Sequence, residues 1–126
     1  MMPDWVVTDA DRELFDRELD SFVPDGIFDA HAHWYAVDQF PPDSMPSLVR
    51  SGPAVAGAAE FQRCMQELIP GRPTDGLFFP YPCVGLAAAA ANAFLADELQ
   101  HQPDSRGQML VTPSDDPEFI RETVRR

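Results

Sequence analysis

The sequence predicts an α/β fold in which parallel strands are preceded by an N-terminal helix, in the order helix, then strand–helix three times. Three observations predict it. Apolar residues recur at helical spacing in four separate windows. Three short apolar runs, 27–33, 76–80 and 107–112, lie between those windows. The connections between the runs are too long for hairpins, so each strand returns beside the last by a crossover, and the sheet is expected to be parallel.

The first helix covers 6–23. Leu14, Phe15, Leu19 and Phe22 share one face, and Asp11, Glu13, Asp16, Glu18 and Asp20 fall mostly on the other. These acids read as a solvated face rather than a cation site. Thr8 or Asp9 serves as N-cap, and Pro24-Asp25-Gly26 ends the helix. The first strand is 27–33, Ile-Phe-Asp-Ala-His-Ala-His. Strict alternation puts Ile27, Asp29, His31 and His33 on one face and Phe28, Ala30 and Ala32 on the other. Residues 34–54, with Pro41, Pro42, Pro46 and Pro53, are expected to form a long irregular connection, and such loops in compact domains usually serve function.

The second helix is 55–69, with Ala58, Phe61, Met65, Leu68 and Ile69 on one stripe, ended by Pro70-Gly71. A buried strand follows at 76–80, where Pro80 and Pro82 stop ladder pairing. The helix at 84–101 is nearly all Ala over its first two turns, and its apolar circumference predicts burial between other elements. The third strand is 107–112. Asp115 or Asp116 caps a last helix with Pro117 at its first position, whose apolar side is Phe119, Ile120 and Val124. There is no internal repeat, and the Ala run reflects helix propensity.

The 126 residues (14.0 kDa) leave room for one domain. There are nine Arg, no Lys and 21 Asp plus Glu, giving a net charge of −12 and a pI near 4.3. A surface this acidic repels phosphate backbones and anionic lipid, which excludes nucleic acid and membrane-surface binding as leading functions. No apolar stretch is long enough to span a bilayer. Met1-Met2-Pro3-Asp4-Trp5 lacks a basic-then-apolar leader. Cys64 and Cys83 are too few for a disulfide scaffold and read as reduced packing thiols. These features together point to a cytoplasmic protein.

The residues that carry chemistry are in Asp29-Ala30-His31-Ala32-His33. Two imidazoles two residues apart on a strand face the same way, with Cα atoms about 6.6 Å apart. Each ring nitrogen can then reach one zinc at about 2.0–2.1 Å. Asp29 can orient a ligand ring or hydrogen-bond nearby backbone. The bland alternative is two ordinary histidines at a strand end. Against it, the pair stands at the carboxyl end of the first strand, where α/β folds place their sites. The remaining histidine, His101, lies beyond the Ala-rich helix and reads as a surface residue.

The run Ile27-Phe28-Asp29-Ala30-His31-Ala32-His33 resembles the first-strand signature of the amidohydrolase superfamily. More narrowly, it is similar to the group of metal-dependent TIM-barrel hydrolases and decarboxylases that includes aminocarboxymuconate semialdehyde decarboxylase. Asp11 to Phe15 with Glu18, Leu19 and Phe22 to Pro24 resembles the lead-in helix of some members, and Thr112-Pro113 with Asp116 to Phe119 resembles a third barrel unit. The resemblance implies an incomplete (β/α)8 barrel: a lead-in helix over 1–25 and the first three βα units over 26–126. It implies His31 and His33 as ligands of a divalent metal, zinc first and manganese or iron as alternatives. Trp34 and Tyr35 would lie beside a small carboxylate, lactone or amide substrate. The family completes its site with a later His and Asp from strands this chain lacks, and a whole barrel needs about 200 residues.

Two other readings compete. A truncated barrel unit could persist without catalysis as a small α/β module that self-associates through open sheet edges. A flavodoxin-like phosphate binder would need a Gly-rich loop after a strand. Gly85 stands alone, and Cys83 has no partner base.

Overall fold

A computed structural model describes residues 6–125; Met1 to Trp5 and Arg126 lie outside the described residues. The elements are α1 (Asp9–Leu14, continuing as a π-helical turn over Phe15–Leu19), β1 (Ile27–Ala36), α2 (Ser47–Ser51), β2 (Val55–Ala56), α3 (Ala58–Leu68), β3 (Thr74–Pro80), α4 (Ala88–Leu99), β4 (Arg106–Gly107) and α5 (Pro117–Val124). They form an open, mostly parallel four-stranded sheet in the order β2-β1-β3-β4. The three strands expected from sequence are β1, β3 and β4, adjacent and parallel. β2 is an addition, a two-residue antiparallel pairing of Ala56 with Tyr35 and Val55 with Ala36.

Side-chain chemistry explains the starts of α1, α3 and α5. Thr8 caps α1 in a reciprocal box with Asp11. Asp116 caps α5 by accepting from Glu118 N–H at 2.7 Å, while Asp115 accepts from Thr112 N–H at 2.6 Å. α3 begins without a side-chain cap of its own; Glu98 of α4 supplies a carboxylate 2.7 Å from Ala58 N–H instead. A Cβ at Gly57 would meet that carboxylate, so a larger residue there would have to displace the Glu98 side chain.

α3 and α4 cover one face of the sheet. Phe61, Met65, Phe94, Leu95 and Leu99 close over Ala32, Trp34 and Phe78. Trp34 stacks on Phe78 with ring centroids 3.7 Å apart, and Phe61 meets Phe78 edge-on at 4.8 Å. A second cluster, Tyr35, Phe40, Val49 and Ala56, ties the connection after β1 to the sheet.

Several expectations are corrected. The first helix ends at Leu19, and only Phe15 of its apolar face is buried, with Arg72 over its ring at 5.2 Å; Phe22 is exposed. β1 runs on to Ala36, so Trp34 and Tyr35 belong to the strand. The stretch after it is organised by two 3-10 turns and α2 around the second cluster. The Ala-rich helix begins only at Ala88, after Gly85 at φ 82°, and is buried on one side alone, at Ala91, Asn92 and Leu95. Ala carries too little apolar area to demand a second partner. The third strand pairs only at Arg106 and Gly107. Beyond them, Gln108 N–H donates to Phe78 O, and the Asn92 amide holds Leu110 at both N–H and C=O, each 2.8 Å. Among the described residues, no helix is long and apolar enough to cross a membrane.

Candidate metal centre

The strand register decides which side chains meet. Ile27 and Asp29 pair with Thr74 and Gly76, and Ala32 and Trp34 pair with Phe78 and Pro80. Three steps along β1 therefore match two along β3, which is a β-bulge between Asp29 and Ala32. Paired residues of parallel strands share a face. Asp29 thus lies on the helix-covered face with Ala32 and Trp34, and the expected common face for Ile27, Asp29, His31 and His33 is broken. Asp29 lines a cavity of about 230 Å³ with Ala32, Trp34, Phe61, Cys64 and Met65, which His33 also borders. Its Oδ1 accepts the backbone N–H of His31 at 2.9 Å. Of its two sequence readings, the backbone one describes what the carboxylate touches.

His31 and His33 do come together, on the sheet face away from α3 and α4. Their rings are 5.1 Å apart at 77°. Phe79, the register partner of His33, sets its ring edge-on to both, 4.6 Å from His31 and 4.5 Å from His33. Tyr81 lies tilted against His33 at 4.5 Å and 36°. His33 Nδ1 is 3.2 Å from the Pro80 carbonyl oxygen. A carbonyl only accepts, so Nδ1 carries the proton and Nε2 keeps a free lone pair.

Burial pushes His33 below the ordinary histidine value, and the neighbouring His31 pushes the same way; the bonds toward the backbone of Pro80 and Phe79 oppose them. The neutral form that results is the form that binds a metal. Burial and the charge of Glu60 push the Cys64 thiol up, which disfavours a free thiolate nucleophile near neutral pH.

Trp34 and Tyr35, expected beside a substrate, are each only 2% exposed and sit in the two core clusters. Trp34 Nε1 and the Tyr35 hydroxyl are buried with no hydrogen-bond partner among the described residues. His101 is exposed just past α4, beside a groove lined by Ala58, Gln62 and Glu98. Phe79, Pro80 and Tyr81 were not anticipated as site residues. The Pro80-Tyr81-Pro82 run after an apolar strand was their signal. It fixes the backbone and takes the chain out of the ladder, freeing a carbonyl for a side chain.

The two imidazoles share one sheet face with ring centroids 5.1 Å apart, and one of them is oriented by the Pro80 carbonyl at its Nδ1. Among the described residues, no group of three or more His, Cys, Asp or Glu is placed to hold a metal ion. Catalytic zinc takes about three protein ligands, so the pair alone is not a full set. The chain matches no known protein family, no curated protein and no solved structure.

Proposed function

We propose that this chain supplies the first-strand metal ligands of a metal-dependent hydrolase, or decarboxylase, of the amidohydrolase type, as the first three strand–helix units of a (β/α)8 barrel. The observation that carries the reading is the imidazole pair in the second half of β1, level with Phe79 near the carboxyl end of β3, on the sheet face opposite the helices. In a barrel that face is the interior and that end carries the site. The acidity of the chain favours accumulation of cations. His31 and His33 would hold the metal through ring nitrogens, His33 by Nε2. A divalent ion, zinc first, would supply Lewis acidity toward the carbonyl of a small carboxylate, lactone or amide and lower the pKa of water. Phe79 would shield one flank of the pair from solvent. Remaining ligands and the general base would come from outside this chain. Elemental analysis of the purified protein tests the reading. It predicts zinc, manganese or iron that is lost in the His31→Ala, His33→Ala double variant; metal retained by that variant would overturn it.

A second reading is a non-catalytic module that self-associates. It is favoured by the edge of β1, which from Ile27 to Trp34 has no strand partner on its outer side among the described residues. Light scattering separates a monomer from a dimer, and a dimer without metal would favour this second reading.

A further inference from the structure

We infer that Tyr81 is a positioning residue for His33, and that with Phe79 and Pro80 it makes His33 the fixed half of the imidazole pair while His31 is the adjustable half. The inference deepens the metal-ligand reading and, as to which residues are ligands, rests on it.

Three consecutive residues at one strand end all contact one ring. Phe79 packs against it edge-on at 4.5 Å, the Pro80 carbonyl lies 3.2 Å from Nδ1, and the Tyr81 ring lies tilted against it at 4.5 Å. Tyr81 is itself held. Pro82 confines it to extended backbone, Pro80 fixes its own φ, and the Tyr81 side chain packs against the buried Tyr35, Phe40, Val49 and Ala56 cluster. His31 has none of this. Its side chain is exposed, its ring contacts among the described residues are T-shaped ones with Phe79 and His33, and no ring nitrogen of it makes a hydrogen bond among the described residues. A ring locked in the Nδ1–H tautomer offers only Nε2, always from the same position. An incoming ion then costs rotamer freedom at one imidazole rather than at two.

Long-range ¹H–¹⁵N correlation of the histidine rings, in metal-free protein above the histidine titration range, tests this directly. The expected result is a protonated Nδ1 and a bare Nε2 at His33, and exchange between tautomers at His31. Tyr81→Phe keeps the ring and should keep the His33 signature. Tyr81→Leu should release His33 into tautomer exchange, and in a zinc titration it should weaken binding about 10–100-fold. An Nε2–H tautomer at His33 in the wild type would overturn the inference without any variant. So would a Tyr81→Leu protein whose His33 signature and zinc affinity match the wild type. The two claims fail separately. A locked His33 in a chain that takes up no zinc supports the positioning role and removes the metal reading. Zinc uptake through His31 and His33 with an unlocked His33 does the reverse.

Discussion

Asp29 and His31 are two residues apart, yet they lie on opposite faces of β1, joined by a 2.9 Å bond from the His31 backbone N–H to Asp29 Oδ1. An Asp that bonds the backbone two residues ahead turns the chain locally. Here that turn coincides with the bulge that carries the imidazoles away from the helix-covered face.

Removing this carboxylate should loosen the bulge. Asp29→Ala is expected to lose about 1 kcal/mol of stability in a denaturant titration, the worth of one backbone–carboxylate bond at a half-buried site. If the pair holds zinc as proposed, affinity should fall with it, because the bulge sets the face on which His31 and His33 stand. Unchanged stability and unchanged zinc affinity would show that the bulge holds without its carboxylate.

Tyr35 gives the protein an alkaline limit. Burial, with the charge of Glu60 adding to it, pushes its hydroxyl up to about 12, against 10 in the unfolded chain. A raised folded value means that the contribution is complete below pH 10 and is lost as pH rises through about 12, an effect of roughly 2–3 kcal/mol. Unfolding followed between pH 9 and 12 should show this loss, and Tyr35→Phe should not. Because the hydroxyl is buried with no hydrogen-bond partner among the described residues, the Phe variant should match or exceed the wild type at pH 7. Superimposable alkaline curves for the two proteins would contradict this.

Asn92 should act as a clasp for the segment after β4. Its amide bonds both polar groups of Leu110 from a buried position on α4. Asn92→Ala leaves those groups unpaired and should cost about 2 kcal/mol. Hydrogen exchange at the Leu110 amide should accelerate well beyond that at β3 amides; an equal change across the sheet would mean a global rather than a local role.

The stacked pair in the core should dominate stability. Phe78 is fully buried beneath Trp34 and Phe61, and Phe78→Ala should cost about 3–5 kcal/mol in chemical denaturation, with loss of the near-ultraviolet signal of Trp34. A cost below 1 kcal/mol would mean that the cluster is not the core.

The parallel strand–helix order was legible in the sequence because crossover length and periodicity are properties of whole segments. So was the imidazole pair, since residues two apart rejoin once a strand is regular again. The bulge was not, because alternation assumes one residue per step, and only the Asp29 side chain hints at the exception. The full length of β1, and with it the place of Trp34 and Tyr35 inside the strand, was hidden for the same kind of reason. Where β1 ends is settled by pairing with Val55 and Ala56, which lie some twenty residues away in the chain. The role of Pro80 was hidden because its contribution is a backbone carbonyl, which every residue has.

The most direct test of the account is a calorimetric zinc titration of the metal-free chain beside His31→Ala, His33→Ala and the double variant. One zinc per chain is expected for the wild type, weakened at least tenfold by either single substitution and abolished by both. No measurable binding by the wild type, or equal binding by the double variant, would contradict it.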